Sequence, residues 1–288
     1  MRESAKIVII GNGFGGTYTL KALGKIFKNN PKVEITLVGE KNYFLFTPLL
    51  HEVATGGINP ENIIEPIRKV LGSCLSKFYL GKAGLINLKN QTVAVDNHQL
   101  SYDYLVLAPG AQTNFYNISG ASKYCFTLKS IDDAIRIKNH CITQMERASQ
   151  TANSTERKKM LTFVVVGGGP TGVEMAAELQ EFIRETFSGY FKKEIIADAS
   201  VLLIERGSEL MSSFNIAIRK KSLRVLLEKG IQVVLNTAVK ERHPLTKGAL
   251  RNGHHNEKSE RRAAPISGTG QGRFRSPIPG LPMVHWHG

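Results

Sequence analysis

Residues 7–16 read IVIIGNGFGG and residues 163–172 read FVVVGGGPTG. Each is a β-branched run of the kind that suits a buried strand, and each ends in a glycine-rich turn. The glycines fall in step: Gly11, Gly13 and Gly16 in one copy, Gly167, Gly169 and Gly172 in the other, every pair 156 residues apart. In a G-x-G-x-x-G turn the first glycine makes the tight bend and the second lets the backbone approach a pyrophosphate. The third lets helix and strand pack closely. The helix behind the turn presents unpaired N–H groups and the positive end of its dipole. A single such turn is weak evidence, because glycine-rich strand-to-helix turns also occur for structural reasons alone. Two of them, each between a strand and a helical stretch, point to an α/β chain with two Rossmann-like dinucleotide-binding units.

The surroundings fit that reading. Lys6 to Ile10 is a strand, a helix runs over about 14–27, and VEITLVG (33–39) is the next strand, which makes a βαβ unit of about 30 residues. The segment KNYFLFTPLLHEVATGG (41–57) is rich in aromatic and apolar residues for a connection. Asn59 and Pro60 are a start signal for a helix to about Leu71. Residues 77–107 alternate as strands. Ser130 and Asp133 form a capping-box pattern for a helix over 131–149, and SQTANSTERKK (149–159) reads as a linker. The cycle then repeats: strand 161–166, helix 171–187, strand 200–205, helix 215–229, strand 231–235.

A dinucleotide unit also places an acid at the end of its second strand, where it accepts hydrogen bonds from the adenosine ribose. In the second unit SVLLIER carries Glu205 there, which favours NAD over NADP because a carboxylate repels a 2′-phosphate; Arg206 beside it weakens that preference. In the first unit the strand ends LVGE, so Gly39 holds the position and Glu40 follows one place late. Either Glu40 serves from there, or it is a solvated loop acid.

Of the formal net charge of +14, the first 240 residues hold +9, and that body suits anionic partners such as nucleotides or an anionic membrane surface, without choosing between them. Residues 241–288 contribute eight Lys or Arg against three Glu, five of the eight histidines, and almost no periodicity. That tail reads as disordered or poorly packed. Its arginines are interleaved with Gly and Pro and form no helical face, which argues against nucleic-acid or membrane binding by the tail. Cys74, Cys125 and Cys141 have neither disulfide-framework nor zinc spacing, so reduced cysteines and no metal site are expected. MRESAK leads straight into a strand with no signal-peptide pattern, and no apolar run approaches the ~18 residues of a membrane span. No Ser-His-Asp or Cys-His arrangement presents itself.

These residues resemble a family. FTPLLHEVATGG (46–57), YDYLVLAPGAQTN (102–114), LKSIDDA (128–134) and LTFVVVGGGPTGVEMAAEL (161–179), with the two turns, are similar to the type II NADH dehydrogenases. These are single-chain, non-proton-pumping NADH:quinone oxidoreductases of the flavin disulfide-reductase-like superfamily. The resemblance covers about residues 5–240 and implies FAD on the first turn and NAD(H) on the second. It implies that Gly11, Gly13, Phe14, Gly15 and Gly16 hold the FAD pyrophosphate, with Glu40 near its ribose. Thr47, Pro48 and Leu49 would flank the isoalloxazine, and Gly110 would lie against the flavin nucleotide, although Pro109 stands where Thr is commoner. Gly167, Gly169, Pro170, Thr171 and Gly172 would hold the NADH pyrophosphate and Glu205 its ribose. Glu174 would stand where nicotinamide meets flavin, in a catalytic role, or serve only as an acid early in a helix. His51 is expected to pack or hydrogen-bond rather than catalyse. No cysteine lies between residues 30 and 60, where the flavin disulfide reductases carry their redox pair.

The resemblance further implies an N-terminal part of a FAD-binding domain over 1–125, a connecting helix and linker over 126–160, an NADH-binding domain over 161–240 and an atypical basic tail over 241–288. A returning segment with a Gly-Asp turn, quinone-site residues and membrane-lying helices is expected after about residue 270, and 241–288 contains no Asp at all. The FAD unit is therefore expected to be incomplete. Three functions stay open: NADH:quinone reduction, a catalytically impaired remnant, and a flavin reductase with a soluble acceptor. The implied partners are a quinone, a membrane surface and a homodimer mate, with no nucleic acid. The implied location is cytoplasmic, or peripheral on the cytoplasmic face of the inner membrane.

Overall fold

In the computed structural model, residues 4–28, 30–72 and 77–240 and the backbone of 283–285 are described. The elements begin with β1 (Ala5–Ile10), α1 (Phe14–Ile26), β2 (Val33–Gly39), β3 (Tyr43–Leu45), α2 (Leu50–Thr55), β4 (Ile64–Pro66) and α3 (Ile67–Leu71). Five strands follow: β5 (Lys77–Leu80), β6 (Ala83–Asn87), β7 (Thr92–Val95), β8 (His98–Ser101) and β9 (Tyr104–Leu107). Then come α4 (Ala121–Tyr124), α5 (Ile131–Ser149), α6 (Ser154–Met160), β10 (Thr162–Val166), α7 (Pro170–Glu181), α8 (Lys193–Asp198), β11 (Ser200–Ile204), α9 (Ile216–Glu228), β12 (Gln232–Val234) and β13 (Met283–His285). The chain divides into two compact units, one drawn from 1–49 and 58–112, the other from 50–57 and 113–288.

The first unit is built on a parallel sheet of order β5-β2-β1-β9. β1 is apolar without alternation because both of its faces are covered. Ile7 and Ile9 pack with Leu20 of α1, Ile35, Leu37 and Ile67, while Val8 and Ile10 pack with Val38, Val93, Val95 and Tyr102. The second face is covered by the antiparallel sheet β6-β7-β8.

The second unit repeats the plan with a parallel sheet of order β12-β11-β10-β13. β12, β11, β10 and β13 take the places that β5, β2, β1 and β9 take in the first. α7 packs on β10 and β11, and Met175, Ala176, Leu179, Phe163, Val165, Val201 and Leu203 are buried. α2 belongs to this unit and packs against α5 and α7.

The elements depart from the sequence pattern in four places. The helix expected over 59–71 is a 3-10 turn at Pro60–Ile63, then β4, then a helix only at Ile67–Leu71. β-branched Ile64 favours extended backbone, Pro66 has no amide to donate, and β4 finds an antiparallel partner in β3. The linker 149–159 contains α6, whose cap is Asn153: its side chain accepts from Thr155 N at 2.9 Å and Glu156 N at 3.2 Å. The helix expected over 171–187 stops at Glu181 and continues as a wider π turn over Phe182–Thr186. Within the tail, Met283–His285 forms β13 against β10. Three residues are too few to carry a periodicity, and the pairing edge of β10 supplies the order. Residues 241–282 and 286–288 lie outside the described residues, as does Cys74.

Candidate functional site

The two glycine turns have one geometry. Gly11 and Gly167 adopt φ of +102° and +112°, a region that disfavours any side chain. A Cβ on Gly16 would stand 1.7 Å from the Gly11 carbonyl oxygen, and one on Gly172 would stand 1.9 Å from that of Gly167. These glycines are demanded by the fold itself. Gly13 and Gly169 differ: each precedes its helix in extended backbone, and a Cβ there would meet nothing within 4 Å. The space in front of them is open, and no acid occupies the first turn of either helix. Both are helix N-caps, where glycine is favoured, and its lack of a side chain also leaves the backbone N–H groups approachable by an external anion. A pyrophosphate fits that cradle.

In the first unit the end of β9 closes on the turn. A Cβ on Gly11 would lie 2.0 Å from the Ala108 carbonyl oxygen, and one on Gly15 would lie 3.3 Å from the Ala108 Cβ. Gly110, two residues on, has φ +77°. The ring of Phe14 meets Phe44 edge-on at 4.9 Å and Phe46 at 5.6 Å, so an aromatic cluster fastens the 41–49 segment to the turn. Thr47 and Pro48 follow in an exposed 3-10 turn with Leu49 half-buried. Glu40 is exposed, one residue past the end of β2. Asn12, the unremarkable x of G-x-G, donates from Nδ2 to the carbonyls of Lys41 at 2.6 Å and Tyr43 at 3.1 Å.

In the second unit Glu205 lies directly against the turn. Its Oε2 accepts from Gly168 N at 2.6 Å and its Oε1 from Gly207 N at 2.5 Å. Beside it opens a cavity of about 300 Å³ lined by Tyr116, Ile118, Val166, Arg206 and Thr237 among others. The Arg206 guanidinium stands 6.0 Å from the Tyr116 ring centre. Tyr116 and Thr237 carry no motif signal; only the fold brings them to the end of the strands.

Glu174, on the second turn of α7, is half exposed, and its Oε2 lies 3.8 Å from Nδ1 of His51 on α2, which is 14% exposed. Glu178, one turn further, accepts from the Thr55 hydroxyl at 3.3 Å. Burial, then Glu181 nearby, pushes the Glu178 carboxyl above its ordinary range against the opposing pull of His51 and Thr55. The α2–α7 contact therefore gathers His51, Glu174 and Glu178, all three outside the glycine motifs. Burial pushes the Cys141 thiol up to about 12, which removes it from redox or nucleophilic chemistry near neutral pH. Among the described residues no three His, Cys, Asp or Glu side chains gather as a metal site.

Residues 5–267 match the family described as Pyridine nucleotide-disulphide oxidoreductase. The chain is 35% identical over 255 residues to the mitochondrial external alternative NAD(P)H-ubiquinone oxidoreductase B2 of Arabidopsis thaliana, covering 82% of this chain and 42% of that protein. It is 35% identical over 265 residues to the mitochondrial external NADH-ubiquinone oxidoreductase 2 of Saccharomyces cerevisiae, covering 88% and 48%. Among solved structures, NDH2 from Plasmodium falciparum in complex with NADH superposes with a TM-score of 0.74 at 33% identity, covering 84% of this chain and 50% of that one. The chain thus spans about half the length of the curated relatives it matches.

Proposed function

Because the chain belongs to the pyridine nucleotide-disulphide oxidoreductase family, we propose that it binds FAD on its first turn and NADH on its second, for transfer of reducing equivalents to a quinone. The observation that carries this is the duplicated open cradle at Gly13 and Gly169, on two units of the same strand order. The activities in the relatives' names, NADH- or NAD(P)H-ubiquinone oxidoreduction, supply the acceptor class. Bound FAD supplies a two-electron carrier that NADH can reduce and a quinone can reoxidise.

The chain's own residues do the holding. N–H groups at the start of α1, with Gly11, Gly13, Phe14, Gly15 and Gly16, bind the flavin pyrophosphate, and Gly110 lies along the nucleotide. Thr47, Pro48 and Leu49 border the isoalloxazine. At the start of α7, Gly167, Gly169, Pro170, Thr171 and Gly172 bind the pyrophosphate of NADH. Each Glu205 oxygen accepts one backbone N–H and retains a lone pair for a ribose hydroxyl, and its charge disfavours a 2′-phosphate. Glu174 and His51 stand 3.8 Å apart beside the second turn.

No helix among the described residues is long and apolar enough to cross a membrane. With a formal charge of +14, the chain would meet its quinone peripherally, at an anionic membrane surface. The test is a flavin spectrum of the purified chain loaded with FAD and desalted, followed by NADH-driven reduction of a short-chain quinone. Retained flavin that NADH bleaches and quinone restores is the expected result. A folded chain that binds NADH and retains no flavin overturns the reading of the first turn. Bleaching restored only by soluble dyes overturns the quinone assignment.

A further inference from the structure

The two turns differ at one pair of positions, and the difference is reciprocal. Strand register sets Ile10 opposite Val38 and Val166 opposite Ile204, so Gly39 is the counterpart of Glu205 and Asn12 the counterpart of Gly168. In the second unit the turn has glycine and the strand end has the side chain: a Cβ on Gly168 would lie 3.0 Å from the Glu205 Cβ and Cγ, and 2.5 Å from Cδ2 of Leu210. In the first unit the strand end has glycine and the turn has the side chain: a Cβ on Gly39 would lie 2.5 Å from Asn12 Cγ and Oδ1. Each site has room for one side chain between turn and strand end.

The hydrogen bonds are reversed with the side chain. Glu205 reaches from the strand end and accepts from N–H groups of Gly168 and Gly207. Asn12 reaches from the turn and donates to the carbonyls of Lys41 and Tyr43, while its own carbonyl accepts from the buried hydroxyl of Thr17 on α1. Both arrangements tie the glycine turn to the segment after the second strand. An amide can donate to two carbonyls, which a carboxylate cannot.

We propose that Asn12 is a positioning residue of the first dinucleotide site. It does from the turn what Glu205 does from the strand end, so this site holds its nucleotide without a strand-end carboxylate and without Glu40. The proposal rests on the reading that the first turn binds FAD. Through Tyr43, Asn12 also sets the start of the segment that leads through Phe44 and Phe46 to Thr47–Leu49.

The test uses the full chain and four variants, with FAD affinity from flavin fluorescence quenching, NADH affinity as a control on the second unit, and thermal unfolding without FAD. Asn12→Ala, which leaves two carbonyls without a partner, is expected to raise the FAD Kd about tenfold or more with NADH affinity unchanged. Glu40→Gln is expected to leave the FAD Kd within about twofold, as for a solvated surface acid. Gly39→Glu is expected to lose FAD and to lower Tm. Asn12→Gly/Gly39→Glu, which transplants the second unit's arrangement, is expected to recover most of both. A double variant no better than Gly39→Glu alone, or a tenfold loss with Glu40→Gln, overturns the proposal. A parent chain that takes up no FAD refutes the FAD reading instead. In that case, recovery of Tm by the double variant still upholds the Asn12–Gly39 exchange, and failure to recover still refutes it.

Discussion

Glu205 Oε2 accepts a hydrogen bond from the backbone N–H of Gly168 at 2.6 Å, so the strand-end acid is fastened to the middle of the second glycine turn. Removing it strips Gly168 in the turn and Gly207 beyond the strand end of one charge-assisted bond each, and the site of its negative charge. Glu205→Ala is expected to raise the NADH Kd by roughly tenfold to a hundredfold, on about 1.5–3 kcal/mol for a hydrogen bond to a charged group. The ratio of NADPH to NADH affinity should rise at the same time, because Arg206 then faces the cavity without the carboxylate beside it. Parallel fluorescence titrations with the two nucleotides measure both effects; an unchanged ratio would contradict the assigned role.

The two kinds of glycine in a turn should respond differently to one methyl group. Gly169→Ala meets no atom within 4 Å, so stability should change by less than about 1 kcal/mol while NADH binding is largely lost. Gly172→Ala drives a Cβ to 1.9 Å from the Gly167 oxygen, so the second unit itself should unfold or lose several degrees of Tm. Calorimetry with and without NADH separates the two; equal loss of Tm in both variants would argue that Gly169 is purely structural.

Glu178 gives the second unit a pH signature. Its folded carboxyl is raised from an ordinary 4.5, chiefly by burial, so the folded state holds its proton more tightly than the unfolded chain. Between those two values the native state binds more protons, and stability from this group falls as pH rises. Glu178→Gln keeps a polar partner for Thr55 without the charge. It is expected to raise Tm at pH 7 and to flatten the dependence above pH 4.5. Thermal unfolding across pH 4–8 checks this; a lower Tm at pH 7 with an unchanged slope would reject it.

β13 takes the place beside β10 that β9 takes beside β1. Deleting residues 283–288 should therefore speed amide hydrogen exchange at Val164 and Val166, whose N–H groups face β13, since successive amides alternate sides and Gly167 N–H is given to Ile204 on β11. The amides of Val8, Ile9 and Ile10 should be unaffected. Equal protection of β10 with and without the segment would contradict a paired strand.

Much of this architecture is written in local patterns. The runs IVII (7–10) and FVVV (163–166) are apolar without alternation because each is buried on both faces. Ser130 and Asp133 form the reciprocal cap that their spacing implies. The segment 59–71 was illegible for the opposite reason: Asn59-Pro60 is a valid helix start, and the antiparallel partner that overrides it, Tyr43–Leu45, lies well upstream. Asn12 was equally hidden, since the middle position of G-x-G tolerates many residues and its partners are backbone carbonyls of residues 41 and 43.

By itself the sequence determined the two turns and their strands, because glycine, β-branched residues and helix caps act on the backbone within a few residues of themselves. Tertiary structure decided what each turn is fastened to. Whether a strand-end acid or a turn amide fills the space behind the glycines, and whether Glu174 finds His51, depends on chain segments tens to hundreds of residues apart. Nothing in local pattern brings them together; only sheet register and packing do.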